Sequence, residues 1–152
     1  MRQKLKIDKI LLILKKSSII SKIEIITFDE IAEKSVYKIR CRLIPSKYKL
    51  DIRFIQTEKE ILYSYQLFTD RPIARWDNAP HYPDIKTYPH HFHSKEGNVI
   101  ESELRGVASE DLRIVLSTVR NILGEQDEKG EKDTLNLGQG ETLKYQTGAS
   151  DS

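Results

Sequence analysis

The sequence predicts an α+β fold: an N-terminal helix, an antiparallel meander of about five strands, and a C-terminal helix, with both helices covering one sheet face. Three observations carry this expectation. "VYKIRCRLI" (36–44) alternates with period two, Tyr37, Ile39, Cys41 and Leu43 on one side and Lys38, Arg40 and Arg42 on the other. Such alternation marks a strand with one dry face and one wet, basic face. The neighbouring strand-like runs are joined by turns of only a few residues, as antiparallel neighbours require. The two ends of the 152-residue chain instead carry helical periodicity, and a sheet with one apolar face needs such cover.

The elements follow in order. Residues 3–16 place Ile7, Ile10, Leu11 and Leu14 on one helix face, and Ser17 and Ser18 end the pattern. "ISKIEIITF" (20–28) is rich in β-branched residues and reads as the first strand, with "DEIAEKS" (29–35) as a turn. After the 36–44 strand, Pro45 and Ser46 turn the chain into "KLDIRFIQ" (49–56), with Leu50, Ile52 and Phe54 inward. In "LYSYQLF" (62–68), Tyr63, Tyr65 and Leu67 share a side opposite Ser64, Gln66 and Phe68. "IARWDN" (73–78) is a last short strand, with Arg75 and Asp77 on one face and Ala74 and Trp76 on the other. A polar loop over 94–108 then leads to "SEDLRIVLSTVRNILG", with Ser109 as cap, acidic residues in the first turn and Gly124 just past the end.

Residues 1–123 form one domain on this reading, large enough to bury a core without staples. They carry a net charge of +6, against −4 for residues 124–152. The tail is rich in Gly, Ser and acidic residues and is expected to be disordered, because it cannot bury enough apolar surface to offset its ordering entropy. "TLNLGQGETLKY" within it could close only a marginal hairpin. No apolar run approaches the roughly 18 residues that cross a bilayer. A lone cysteine, Cys41, excludes an intramolecular disulfide and makes the cytoplasm the default compartment. Phosphate-binding glycine loops, nucleophile elbows, paired-cysteine motifs and zinc-protease helices are absent from the sequence, which removes P-loop nucleotide hydrolysis and α/β-hydrolase chemistry.

The chemistry concentrates in "DNAPHYPDIKTYPHHFH" (77–93), which holds all four histidines and three of the five prolines. Pro80, Pro83 and Pro89 each remove a backbone donor and favour extended geometry before them. If 89–93 is extended, His91 and His93 point to one side and His90 to the other. Asp77 and Asn78 suit a turn that folds His81 back toward Arg75 and Asp77. Three readings compete. His91, His93 and His81 could ligate a transition metal, although no fixed zinc spacing is matched. The imidazoles could instead act as acid and base on an RNA phosphodiester without a metal, His81, His91 and His93 moving protons, Arg75 stabilising phosphorane charge and Tyr65 assisting. In the third reading the His/Pro stretch, with Asp77, Asn78 and His90, is a structural clamp in a non-enzymatic binding or regulatory protein. The basic face of Lys38, Arg40 and Arg42 would then be the binding surface.

"YSYQL" followed by "RWDNAPHYPDIKTYPHHFH" closely resembles the signature of the TumE family of toxins from prokaryotic type II toxin–antitoxin pairs. In that pattern a Tyr-Ser-Tyr strand precedes Asp-Asn-Ala-Pro-His-His-Pro, and a Thr-Phe-Pro-His-His-x-His segment follows. His81, His90, His91 and His93 match; Tyr82 stands where the family tends to place a second histidine, and Tyr88 where it tends to place phenylalanine. The resemblance spans roughly residues 5–123 and includes the closing helix beginning "SEDL". It implies growth inhibition held in check by a cognate antitoxin, typically a helix-turn-helix protein encoded beside the toxin. By analogy with other small basic toxins it favours ribonuclease activity.

Overall fold

The computed structural model describes residues 5–140, with side chains to residue 125. The chain divides into two units, residues 1–116 and 117–152. The first holds a helix and a sheet. Helix α1 (Ile7–Lys15) buries Ile7, Ile10 and Leu14, spaced three and four apart as one helix face demands. Seven strands follow: β1 (Ile20–Ile31), β2 (Lys34–Leu43), β3 (Lys49–Thr57), β4 (Ile61–Phe68), β5 (Pro72–Asp77), β6 (His91–His93) and β7 (Val99–Glu101). They lie side by side in chain order and every neighbouring pair is antiparallel. Helix α2 (Ala108–Gly140) begins in the first unit and continues into the second.

The α+β class and the meander agree with the sequence, but the sheet has seven strands rather than about five. The two added strands are three residues each, too short to display a period-two pattern. β6 lies inside the histidine segment. β7 lies inside the expected polar loop, where Gly97, at φ +92°, turns the chain between them. The C-terminal helix also differs. It starts at Ala108, with the Glu110 and Asp111 N–H groups bonded to the Val107 carbonyl, so Ser109 lies inside the helix rather than capping it. Gly124 does not end it. A single glycine inside a helix costs about 1 kcal/mol, and the Glu, Gln and Lys that follow are good helix formers, so the helix runs on to Gly140. The stretch 134–145, read as part of a disordered tail that could close only a marginal hairpin, is helix as far as Gly140, and the rest of the tail lies outside the described residues.

Register sorts the side chains into two faces. One row runs Ile39–Ile52–Tyr65–Trp76–Phe92 across β2 to β6, flanked by Cys41–Leu50–Leu67–Ala74 and by Tyr37–Phe54–Tyr63. All of these except Phe92 are buried and form the core. Asp8 of α1 acts electrostatically on Tyr37, and Asp111 of α2 on Tyr63 and Tyr65, so both helix starts lie on this side. The opposite face carries Glu24–Arg40–Asp51–Gln66–Arg75–His93 in one row and Lys38–Arg53–Ser64–Asp77–His91–Glu101 in the next. The basic outer face and the histidines therefore share one surface.

Candidate active site

The site is built where β5 meets β6. Strand alternation puts Arg75 and Asp77 on the outer face of β5, and His91 and His93 on the outer face of β6. The antiparallel register pairs Arg75 with His93 and Asp77 with His91. Residues 78–90 leave the sheet between these strands and return to it. Asn78 ties the departing chain down, its side-chain carbonyl accepting the Tyr63 N–H and its amide donating to the Ile61 carbonyl. Thr87 ties the returning chain, its hydroxyl donating to the His90 carbonyl and accepting the Ser102 N–H.

Asp77 is the hub. Its carboxylate is only 6% exposed and meets four donors. The Ala79 N–H and His91 Nε2 approach Oδ1 at 3.0 and 2.9 Å. Arg75 Nε and His93 Nε2 approach Oδ2 at 2.9 and 3.3 Å. Burial alone would raise the carboxyl pKa, but the Ala79 and Arg75 hydrogen bonds and the charges of His91 and Arg75 outweigh it and hold the group below its ordinary range. Asp77 is thus an ionised carboxylate inside the protein, stabilised by the cations around it.

The two outer histidines differ in what they can do. His91 is 2% exposed, and its Nδ1 donates to the Pro89 carbonyl at 3.0 Å. Nε2 faces the Asp77 carboxylate, so both ring nitrogens of His91 are spent on the protein and neither is offered to a substrate. His93 is 29% exposed. Burial lowers its pKa, Asp77 opposes that shift, and the nearby His91 and Arg75 charges reinforce it, leaving the ring neutral at neutral pH. Its Nε2 donates toward Asp77, so Nδ1 keeps a lone pair, and that nitrogen has no hydrogen-bond partner among the described residues. A neutral imidazole oriented by a buried carboxylate is the arrangement of a general base. Arg75 also donates to the Gln66 side chain at 3.3 Å, which fixes its guanidinium beside His93.

Tyr82 closes the cluster from above, its ring edge-on to His91 at 4.8 Å and to His93 at 5.9 Å. The sequence marks it only as the place where the family tends to have a second histidine, and gives it no role in the site. His81 is exposed at the rim, 6.4 Å from the Tyr82 ring. Tyr65 is not brought to the site. It pairs with Trp76, whose side chain faces the core, and is completely buried against Phe54 and Tyr63. Its hydroxyl is held well above the ordinary tyrosine range by burial and by the Asp111 charge. His90 also lies on the core side. Its Nδ1 meets the Tyr63 hydroxyl at 2.8 Å, and its ring stacks on the Tyr63 ring with centroids 5.8 Å apart.

Lys38, Arg40 and Arg42 lie on the outer face, three to four strands from the cluster. Arg40 is locked to Asp51 by two hydrogen bonds, and Arg42 reaches Glu24 only at 3.7 Å. The donor atoms of Asp77, His91 and His93 lie within 4.8 Å of one another, a set that can hold a divalent ion. Arg75, bonded to the same carboxylate oxygen as His93, places a positive charge against any cation there. No helix of the described residues is long and apolar enough to cross a membrane.

Among known proteins, no curated sequence and no solved structure matches the chain. A family model does: the one described as Toxin TumE matches residues 10–125, which include most of α1, the whole sheet, the start of α2 and every residue of the cluster. The chain belongs to the TumE toxin family.

Proposed function

We propose that this toxin arrests growth in the cytoplasm of a prokaryotic cell by cleaving RNA without a metal. We also propose that a cognate antitoxin of the helix-turn-helix type relieves it. The observation that carries the reading is the single buried carboxylate of Asp77 holding Arg75, His91 and His93 on one open sheet face. In the proposed reaction His93 Nδ1 takes the proton of a ribose 2′-hydroxyl, the 2′-oxygen attacks the adjacent phosphorus, and the bond to the 5′-oxygen breaks. The products are a 2′,3′-cyclic phosphate and a 5′-hydroxyl, and His81 at the rim is the candidate donor of the leaving oxygen's proton. Arg75 lies beside His93, where its charge would offset that of the phosphorane. His91 acts as a positioning residue, holding the Asp77 carboxylate in place. Hydrogen bonds to an ionised carboxylate are about twice as strong as neutral ones.

Purified protein should convert a single-stranded RNA into fragments ending in cyclic phosphate, with undiminished rate in EDTA. A strand carrying deoxyribose at every position should stay intact. Cleavage of the deoxy strand, or loss of activity in EDTA, would end this mechanism. Co-expression with the neighbouring antitoxin should restore growth and yield a complex on purification.

The enclosure of His91 favours a second reading, in which the cluster is scaffolding and the toxin acts by binding alone. Equal growth arrest by wild type and by a folded His93→Ala variant would select it.

A further inference from the structure

The outer face repeats an arrangement that costs stability in a free protein. Lys38 is the direct cross-strand partner of Arg53, and Arg42 of Lys49, with Lys22 facing Arg42 from the other side. Like charges directly opposite one another on neighbouring strands repel. The row between them is balanced, Arg40 bonding to Asp51 in bidentate fashion. Lys38, Lys49 and Arg53 have no acidic partner among the described residues, and the 3.7 Å separation between Arg42 and Glu24 is too long for a hydrogen bond. All of these side chains point to the same side as Arg75 and His93. Arg53 stands two strands from Asp77 in the same row, about 10 Å at the usual strand spacing. Between them lies only Ser64, and between Lys49 and β5 only Phe68. No bulky charge interrupts the path.

We infer that the Lys38/Arg53 and Arg42/Lys49 pairs are phosphate contacts, and that single-stranded RNA lies across the outer sheet face with its backbone led by them to the Asp77–His93 dyad. The inference rests on the proposed ribonuclease reading and adds how the substrate is held. A polyanion resolves the repulsion that each pair otherwise maintains, and a flat sheet with a half-buried aromatic at Phe68, over which the Arg40 guanidinium sits at 5.5 Å, suits unpaired bases. The contacts read backbone charge and so carry no sequence preference of their own.

The test uses the full chain and a fluorescent, mixed-sequence, single-stranded RNA with every 2′-oxygen methylated, which cannot be cleaved by attack of its own hydroxyl. Binding is titrated over a series of salt concentrations for wild type, for Lys38→Gln/Arg53→Gln and for Arg42→Gln/Lys49→Gln. Lys15→Gln/Lys16→Gln, at the exposed end of α1, makes the same change of charge elsewhere. Each outer-face pair should weaken binding at least about tenfold and flatten the log–log salt slope by about 1.4, the loss of two single-strand phosphate contacts. The α1 variant should match wild type. Melting temperatures of the outer-face variants should equal or exceed wild type, because repulsion has been removed, which separates lost binding from lost folding.

Wild-type binding that survives both outer-face changes, or no wild-type binding to the probe, overturns the inference. So does a result in which these variants bind the probe normally but lose the antitoxin, since the face would then belong to a protein partner. Failure of the ribonuclease reading looks different: wild-type protein would bind the methylated strand with the expected salt slope and leave an unmodified strand uncut.

Discussion

His90 and His91 are adjacent in sequence and lie on opposite sides of the sheet. His90 sits on the core side, bonded through Nδ1 to the Tyr63 hydroxyl, with Gly106 close against its ring and the Asp111 charge nearby. His91 sits on the outer side with His93, bonded to Asp77. The core-side group is tied to the start of α2, because Asp111 accepts the Arg105 and Gly106 N–H groups at 3.0 and 2.8 Å. His90 Nδ1, the Tyr63 hydroxyl and both Asp111 oxygens are spent on protein neighbours. The outer group leaves one imidazole nitrogen and an arginine facing solvent. Strand alternation alone thus sends identical side chains to the core side or to the open face, and on the proposed mechanism the motif "PHHFH" encodes scaffold and chemistry together.

This contrast can be broken at its centre. Asp77→Asn removes the buried charge that pairs with Arg75 and faces His91, and breaking such a pair costs about 3–5 kcal/mol. A large fall in melting temperature together with loss of cleavage is expected; a variant as stable as wild type would show that Asp77 is not the hub. His93→Ala acts on the outer side only. Cleavage should fall about 10²- to 10⁴-fold, while urea denaturation moves by less than about 1 kcal/mol, since this group is partly exposed and its contact with Asp77 is long. The core-side counterpart, His90→Ala, should do the reverse: a loss of about 1–3 kcal/mol from the missing Tyr63 hydrogen bond and packing, with the folded fraction cleaving at the wild-type rate. A catalytic defect in His90→Ala beyond its loss of folded protein would erase the division between the two sides.

Gly106 sharpens the core side. At φ +93° it occupies a conformation that L side chains rarely adopt, and a Cβ there would meet His90 Cε1 at 3.3 Å. Gly106→Ala should cost about 1–2 kcal/mol without changing cleavage by the folded protein. The smallest effect is one of pH. Burial depresses both His90 and His93 below the ordinary imidazole value of 6.5. A depressed histidine favours the neutral form in the fold, so the unfolded chain binds more protons and stability declines as pH falls below about 6.5. The decline levels off below the folded pKa. His90→Ala should shallow this decline in chemical denaturation. Catalysis by neutral His93 should persist below pH 6.5 and fall only as its own depressed pKa is crossed, a limb that His93→Ala should lack.

Much of this architecture is readable without coordinates, for physical reasons. Strands of six residues or more show their alternation, so β2 to β5 and their inward residues are legible from "VYKIRCRLI" to "IARWDN". A three-residue strand has no period to display, which hides β6 and β7. The opposite placement of His90 relative to His91 and His93 also follows from alternation. Asp77 is legible only as a turn residue, although its carboxylate organises the site. The available clue is that Arg75-x-Asp77 and His91-x-His93 each place two polar groups on one side of an extended segment, and pairing those segments antiparallel assembles the cluster. The same parity sets Tyr65 apart, because Tyr65 pairs with Trp76, on the side opposite Arg75. The continuation of α2 past Gly124 is concealed for a different reason. Glycine is the commonest stop for a helix, and its modest cost inside one leaves no other mark in the sequence.

Strand order in the sheet is also chain order, with no crossover anywhere in it. Each strand pairs with the one made just before it, so most contacts are local and folding is expected to be fast for a sheet protein. The order has a consequence on the ribosome. The outer face of β1 to β4 is complete once residue 68 has emerged, whereas Asp77 waits for His91 and His93. A nascent chain stopped between residues 68 and 91 therefore presents the basic sheet without His91 and His93. On the proposed mechanism, synthesis itself keeps this toxin unarmed until its last few strands are in place.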